Sequence, residues 1–382
     1  MTKVPLSVLD LVPITSGSTA AQALRNTIDL AQRAEEFGYR RYWLAEHHLN
    51  PGLAGTSPIL EIALLAGATR TIRVGSGGVQ SGHHTALSVV EEFGLIDSLH
   101  PGRLDLGIGR SGGRGFTSNR YAEAAPERQP IGVTTAASGA GATGNGLVIP
   151  PRPPRPRRSA RLALNSRLLQ QPGAESPEYG DLVGDVLAFL RGTYRSPEGL
   201  EAHAVPGEGA DVEVWILGST AGESATVAGE LGLRFTANYH VSPATVLEAV
   251  VGYREAFRPS AELGRPYVAA SADVVVAEDD ETARRLAAGY GPWVHSIRSG
   301  EGAIEFPSPE EAAGHVWSED ERAQVADRVD TQFVGSPATV VQGLHQLQEA
   351  TSADELIITT VTHDHSDRVR SYELLADLWA SQ

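Results

Sequence analysis

The sequence predicts a single α/β domain of the (β/α)8 TIM-barrel class, with long insertions on the carboxyl-terminal face. Apolar strand-like runs alternate with helical patterns along most of the 382 residues, which is the order that parallel βαβ units produce. Eight such strand-like runs occur, four before residue 110 and four after residue 210. The chain also exceeds the ~250 residues of an ordinary barrel by about 130, and two irregular segments account for most of this surplus.

The predicted strands are short and apolar, and each is followed by a turn or a helical pattern. They cover Leu6–Leu11, Arg41–Ala45, Ile72–Val79, Leu104–Ile108, Val212–Leu217, Phe235–Tyr239, Tyr267–Val276 and Glu355–Thr360. The predicted helices cover Ala20–Phe37, Pro58–Arg70, Leu87–Leu99, Ser224–Leu231, Pro243–Phe257, Asp280–Tyr290, Pro337–Ala350 and Arg368–Ala380. Gly38 is suited to end the first helix and Pro58 to begin the second.

The two irregular segments, 111–180 and 291–330, are expected to be insertions within one domain spanning residues 1–382. The first follows the fourth strand, so it emerges on the face where TIM barrels keep their active sites. It is rich in Gly, Ala, Pro and Arg, and it includes the run from Pro150 to Arg158. This composition allows either a flexible connector or a lid that excludes water.

Composition excludes several classes of protein. The formal net charge is −16, which disfavours nucleic acid and anionic membrane surfaces as partners. The chain has no cysteine, so disulfides, thiolate catalysis and cysteine-ligated metals are excluded. No apolar run reaches the ~18 residues of a membrane span. A cytoplasmic protein is therefore expected.

Glu46, His47 and His48 follow the second predicted strand directly. Groups at the carboxyl end of a barrel strand lie where the chemistry takes place, and histidine is the side chain best suited to move a proton near neutral pH. The alternative is that one histidine is a hydrogen-bonded structural residue and the other faces solvent.

The third predicted strand carries three glycines in four positions, Gly75, Gly77 and Gly78, and its following loop carries His83 and His84. Glycines inside a strand indicate the close approach of another backbone or a flat ligand, or else a bulge or bend. Arg110 closes the fourth strand, and its guanidinium suits a phosphate or a carboxylate, although a surface salt bridge is equally compatible.

The turn after the fifth strand reads Gly218, Ser219, Thr220 and leads through Ser224 into a helix. Hydroxyl side chains and free amides at a helix N-terminus favour a phosphate, although N-capping alone would also explain Ser219 or Thr220. His363 and His365 follow the eighth strand, and such a pair could bind a metal. No carboxylate and lysine set accompanies them, so a metal site is the weaker interpretation.

Taken in series, these motifs resemble the luciferase-like flavin monooxygenases of the bacterial luciferase superfamily. The resemblance rests on Ala45–His48, Val74–Gly78, the loop with His84, Pro101–Arg103 with Gly107–Arg110, and Leu217–Thr220. It extends closely over residues 4–110 and more loosely over residues 211–290.

This resemblance implies a barrel, often dimeric, that uses reduced FMN (FMNH2) supplied by a separate flavin reductase. Flavin and O2 would form a C4a-peroxyflavin that oxidises a small organic substrate, and a bulky natural-product intermediate is one candidate. His47 matches the family's active-site histidine. The residues that match flavin contacts are Gly77, Gly78, His84, Arg110, Gly218, Ser219, Thr220 and Ser224.

Other interpretations remain open at this stage. The deazaflavin F420 could replace FMN, because several barrel relatives use it. The chain could be a flavin-binding protein without turnover. It could also be a metal-dependent barrel hydrolase that uses His47, His48, His363 and His365.

Overall fold

Eight parallel strands form a closed barrel. The computed structural model describes residues 3–110, 133–135, 141–153, 160–171, 173–174 and 177–381. The barrel strands are β1 (Leu6–Asp10), β2 (Arg41–Leu44), β3 (Arg73–Ser76), β4 (Leu104–Gly109), β5 (Val212–Gly218), β6 (Arg234–Asn238), β7 (Val268–Val276) and β8 (Glu355–Thr359). Each strand pairs in parallel with the next, and β8 pairs with β1, where Leu356 lies opposite Leu6. The predicted TIM barrel is confirmed.

Outer helices follow the strands and cover the barrel. They are α1 (Ala20–Glu36), α2 (Pro58–Ala68), α3 (Ala86–Asp97), α4 (Tyr179–Leu190), α5 (Glu223–Glu230), α6 (Val246–Ala256), α7 (Pro337–Thr351) and α8 (His365–Ala380). The sequence analysis did not identify α4, because Gly180 and Gly184 weaken its helical pattern. The other seven begin and end within a few residues of their predicted bounds.

Helix α1 shows how the sequence forms the outer layer. The Thr19 hydroxyl accepts the N–H of Gln22 at 3.2 Å and so caps the helix, and Gly38 adopts a φ of +82° just beyond its end. Its buried residues recur every three or four positions: Ala23, Thr27, Leu30, Ala31 and Ala34. This spacing places one apolar stripe against the strands.

The third predicted strand, Ile72–Val79, divides into β3 and a two-residue strand, Val79–Gln80, that pairs with Ile108 and Gly109. The division falls at Gly77 and Gly78, whose peptide bond is cis. The glycine-rich sequence therefore marks a break in the strand at the mouth of the barrel.

The segment 111–180 is only partly described, since residues 111–132, 136–140, 154–159, 172 and 175–176 lie outside the described residues. That excluded part includes most of the proline- and arginine-rich run. The remainder contains a three-stranded antiparallel sheet (Val133–Thr135, Gly141–Thr143, Val148–Ile149) and the helix Ala160–Leu169. Two contacts join it to loops at the barrel mouth: Tyr239 donates to the carbonyl of Val148 at 2.8 Å, and Gln170 donates to that of Gly82 at 3.1 Å.

The segment 291–330, expected to be irregular, is largely helical. The predicted helix Asp280–Tyr290 ends at Leu286, and a 3-10 turn (Ala287–Gly289) leads into the helices Tyr290–Ser299, Pro309–Ala313 and Glu319–Val329. Capping boxes at Ser308 and Ser318 begin the last two helices. Because these helices are short, their sequences show little apolar periodicity, and the capping residues are the clearer signal of where each helix begins.

An ionic layer and two tryptophans fill the interior of the barrel. Arg41 lies 2.7 Å from Asp105 and 2.8 Å from Glu355, all three buried. The Trp43 indole donates to Asp105 at 2.9 Å and packs edge-to-face on Trp215 at a centroid distance of 5.0 Å. The amino-terminal half of the interior is thus filled, which leaves the carboxyl ends of the strands for a site. Within the described residues, no helix is long and apolar enough to cross a membrane.

Candidate active site

Glu46, just beyond the end of β2, is the centre of a hydrogen-bond cluster. Its side chain is 1% exposed, and its Oε1 lies 2.8 Å from Nε2 of His48 and 3.2 Å from Nε2 of His84. Its Oε2 accepts the backbone N–H of Gln80 at 2.8 Å. We call Glu46, His48, Gln80 and His84 the Glu46 cluster. It joins the end of β2 to the segment that follows β3.

The cluster stabilises opposite charges on Glu46 and His84. Burial opposes ionisation of Glu46, but hydrogen bonds from His48, His84 and Gln80 outweigh it and lower the pKa of Glu46 to about 2. Burial also disfavours a charged His84, yet its hydrogen bond to Glu46 prevails and raises the pKa of His84 above its ordinary value. The geometry therefore favours a carboxylate beside an imidazolium.

His47 differs from its two neighbours in its environment. Its backbone N–H donates to the carbonyl of Gly55 at 2.8 Å, and its Nδ1 is buried with no hydrogen-bond partner among the residues that the structure describes. Burial, with a smaller contribution from His48, lowers the pKa of His47 to about 4 despite the opposing charge of Glu46. His47 is therefore neutral at pH 7 and has a ring nitrogen that a bound ligand or water would satisfy.

His240 is a second histidine at the mouth, which the sequence analysis did not identify. It follows β6, the strand opposite β2 in the barrel, and its Nδ1 lies 2.6 Å from the Ser271 hydroxyl. Burial lowers the pKa of His240 to about 3, aided by the charges of Arg328 and His47. His47 and His240 are thus close enough to influence each other's charge. The rule that selected His47, a histidine just beyond a predicted strand, would also have selected His240.

The helix Glu319–Val329 contributes Arg328 to the same region. The Arg328 guanidinium donates to the hydroxyl of Tyr290 at 2.7 Å and to the carboxylate of Asp273 at 3.3 Å. Because Asp273 balances this charge, Arg328 adds little net charge to the mouth. No signal in the sequence connects these three residues, since only the packing of the 291–330 segment brings them together.

Gly77 and Gly78 lie beside the Glu46 cluster, at the end of β3. A Cβ atom on Gly77 would lie 2.6 Å from Leu9, and one on Gly78 would lie 2.7 Å from the carbonyl oxygen of Gly107. The packing of the barrel therefore requires glycine at Gly78, whether or not a flat ligand lies against it, whereas a Cβ on Gly77 would require the Leu9 side chain to move. Their contact with a flavin stays a prediction.

The predicted phosphate turn lies between β5 and α5. Gly218 ends β5, where a Cβ would lie 2.7 Å from the ring of Phe235. The Ser219 hydroxyl accepts from Asn238 at 3.3 Å, Thr220 is exposed and Ser224 is buried. Gly222 is the N-cap residue of α5 and provides no side-chain hydrogen bond to its first turn. The amides of the first turn are consequently available to an anion.

Arg110 reaches this turn from the neighbouring strand β4. Its Nη1 lies 2.9 Å from Oε2 of Glu223, the first residue of α5. The sequence predicted Arg110 as a phosphate contact and did not predict Glu223. The structure thus brings the arginine to the predicted turn and gives it a carboxylate partner there.

The remaining histidines from the sequence analysis lie in two places. The ring of His83 packs edge-to-face on His48 at 5.9 Å. His363 and His365 lie beyond β8. Nε2 of His363 is 3.1 Å from the carbonyl oxygen of Ser16, and Nε2 of His365 is 2.8 Å from the carboxylate of Asp29. In the described part of the chain, no group of three or more histidine, aspartate or glutamate residues could hold a metal ion.

All the predicted site residues lie along the carboxyl ends of four neighbouring strands, β2 to β5. One end of this arc has an uncapped helix N-terminus beside an arginine. The other end has the Glu46 cluster, the unpartnered nitrogen of His47 and the glycines. The arc thus has anion-binding groups at one end, and a carboxylate, histidines and glycines at the other.

The fold is a TIM barrel with its candidate site at the carboxyl ends of the strands, and comparison with known proteins gives its family. The model of the luciferase-like monooxygenase family matches residues 4–130 and 169–354. The chain belongs to this family. It is 36% identical over 381 residues to the uncharacterised Bacillus subtilis protein YvbT, covering 99% of this chain and 97% of that protein. It is 30% identical over 375 residues to an Escherichia coli luciferase-like monooxygenase, covering 98% and 97%.

Solved structures show the same fold. Apo-MsnO8 is 29% identical with a TM-score of 0.77, covering 100% of this chain and 98% of that one. The oxygenating constituent of 3,6-diketocamphane monooxygenase from Pseudomonas putida, in complex with FMN, is 19% identical with a TM-score of 0.64, covering 99% and 98%. An F420-dependent secondary alcohol dehydrogenase is 12% identical with a TM-score of 0.58, covering 97% and 98%.

Proposed function

We propose that the chain is a flavin-dependent monooxygenase of a two-component system, which uses FMNH2 and O2 to oxidise a small or aromatic organic substrate. One observation carries the proposal: the Glu46 cluster and the uncapped N-terminus of α5 lie at opposite ends of one arc of strand ends. The flavin ring would lie near His47, Gly77, Gly78 and His84. Its phosphate would lie against Ser219, Thr220, Ser224 and Arg110.

Bound flavin would supply the activation of O2, because no side chain of this protein carries out that chemistry. The protein would orient the ring and control protons around it. His47 is neutral at pH 7, so its ring can accept a proton without first losing one. Glu46 holds His84 in a fixed position and favours its charged form, which would stabilise negative charge on a reduced ring. The described part of the 111–180 segment contacts Gly82 and Tyr239 at the mouth through Gln170 and Val148, and would there limit the entry of water.

FMN is the proposed cofactor, and F420 is the alternative. Relatives of the same fold include one in complex with FMN and one that depends on F420. The turn from Gly218 to Ser224 and the side chain of Arg110 offer one compact anion site, which suits a single terminal phosphate. Titration of the purified protein with FMN and with F420, followed by absorbance, therefore tests which of the two cofactors it binds.

Two partners belong to the proposal. A separate flavin reductase would supply FMNH2, as the resemblance to the luciferase-like flavin monooxygenases implies. A second copy of the chain would cover an apolar surface on α2, α3 and the turn after α3, where Leu60, Leu64, Leu95 and Leu99 are 69%, 56%, 57% and 78% exposed. Large exposed apolar side chains on adjacent helices are typical of a protein interface.

A flavin carrier without turnover is the second candidate. The orphaned nitrogen of His47 favours the enzyme, because a carrier needs no buried proton acceptor beside the ring. The metal-dependent hydrolase gains no support from the positions of His363 and His365, which lie beyond β8 rather than in the Glu46 cluster.

Oxygen transfer tests the proposal directly. The purified protein would be given FMNH2, 18O2 and a panel of aldehydes, ketones and activated aromatics, with FMNH2 alone as the control. A monooxygenase places one 18O atom in the product and the other in water. Binding of FMN without labelled product from any member of the panel would favour the carrier.

A further inference from the structure

The contact between Arg110 and Glu223 places a carboxylate inside the proposed phosphate site. Glu223 is the first residue of α5, where the helix dipole and the free amides favour negative charge. Its side chain is only 14% exposed, and its Oε2 lies 2.9 Å from the guanidinium of Arg110, which is 34% exposed. The carboxylate therefore occupies the position that an incoming phosphate would take beside the arginine.

Neighbouring groups restrict where this carboxylate can go. The hydroxyl of Tyr179 donates to the carbonyl of Ile108 at 3.1 Å, and Tyr179 is also near Ser224, Arg110 and Glu223. Among the described residues, the site thus contains the guanidinium of Arg110, the carboxylate of Glu223 and the hydroxyls of Tyr179 and Ser224 in a partly buried space. A phosphate that enters either shares Arg110 with Glu223 or displaces it. Sharing brings two negative groups to short range and displacement breaks the ion pair, so both outcomes oppose binding.

We propose that Glu223 is an internal competitor of the flavin phosphate, which weakens the binding of FMN at this site and keeps the flavin exchangeable. This inference rests on the proposed function and adds a residue that sets cofactor affinity. An exchangeable flavin is what a protein needs if reduced cofactor arrives from a separate reductase and oxidised cofactor must leave after each turnover.

The test compares FMN with riboflavin, which has the same ring system and no phosphate. Each is titrated into the full-length wild-type protein, Glu223→Gln and Glu230→Gln, with flavin fluorescence as the readout. Glu230 is a matched control because it lies at the other end of α5 and its side chain is 51% exposed. We expect Glu223→Gln to bind FMN about tenfold more tightly or better, equivalent to about 1.4 kcal/mol. The affinity for riboflavin should be unchanged, and Glu230→Gln should match the wild type for both ligands.

Several results would overturn the inference alone. They are equal FMN affinity in wild type and Glu223→Gln, weaker FMN binding by Glu223→Gln, or an equal gain for riboflavin. Weaker binding would show that Glu223 positions Arg110 for the phosphate. If neither flavin binds the wild type or Glu223→Gln, the proposed function fails and the inference fails with it. Circular dichroism of each variant establishes that the fold is retained.

Discussion

Oε1 of Glu46 lies 2.8 Å from Nε2 of His48, two positions further along the chain. His47 lies between these two residues, and its buried Nδ1 has no hydrogen-bond partner among the described residues. One short segment thus supplies both a charged cluster and a neutral histidine.

The Glu46 cluster predicts a stability difference that depends on pH. The pKa of Glu46 is about 2 in the folded protein. Its contribution to folding stability is therefore complete above its ordinary pKa of 4.5 and is lost as the pH falls towards 2. The pKa of His84 is raised, so its contribution is complete below 6.5 and is lost as pH rises through its folded value. Glu46→Gln should therefore lower the free energy of unfolding most between pH 4.5 and 6.5. The expected loss there is on the order of 2–3 kcal/mol.

Urea unfolding of the wild type and Glu46→Gln at a series of pH values from about 3 to about 9 measures this difference. Glu198→Gln is the control, because Glu198 is exposed and its hydrogen bond is to nearby Ser196. A constant difference at all pH values would contradict the proposed charge pairing.

His47 predicts a loss of product formation without a loss of cofactor. His47→Gln should lower the rate of oxygen transfer by about 100-fold or more, the range for removal of a general acid–base group. Its flavin affinity should change little, because the predicted phosphate contacts are at the other end of the arc. His203→Gln, at a half-exposed histidine paired with Glu208, should behave as the wild type. Wild-type turnover by His47→Gln would show that His47 has no catalytic role.

His240 predicts a related effect on the opposite side of the mouth. Its ring is held by Ser271 and is sensitive to the charge on His47. In His47→Gln the pKa of His240 should rise, because His240 titrates near pH 3, where His47 is itself protonated, and the variant lacks that positive charge. Ring-15N NMR titration of histidine follows this directly. If the titration of His240 is the same in both proteins, the charge on His47 does not affect the ring of His240.

Two glycines predict opposite responses to alanine. A Cβ at Gly107 would lie 2.1 Å from the carbonyl oxygen of Ser76, whereas a Cβ at Gly184 in α4 would meet no atom within 4 Å. Gly107→Ala should destabilise the barrel by about 3 kcal/mol or more, and Gly184→Ala should stabilise it by up to about 1 kcal/mol. Thermal unfolding of both variants provides the measurement. A neutral Gly107→Ala would mean that β3 and β4 are less closely packed than described.

The sequence was sufficient to predict the barrel, because all eight strands are apolar runs that alternate with helices. It also predicted which residues lie at the strand ends, including His47, His84 and Arg110. It did not predict what those residues contact. Two partners of Glu46, Gln80 and His84, lie more than 30 residues away in the chain, and Glu223 meets Arg110 from 113 residues away. Arg328 reaches the mouth only through the packing of three short helices, which a periodic pattern does not reveal.

A crystal structure of the protein with FMN is the most direct test of the central claim. We predict that the phosphate lies within ~3 Å of the backbone amides that begin α5, beside Ser219, Ser224 and Arg110. We also predict that the flavin ring lies against Gly77 and Gly78 with His47 beside it. A flavin bound away from the carboxyl ends of β2 to β5, or with its phosphate remote from α5, would contradict this account.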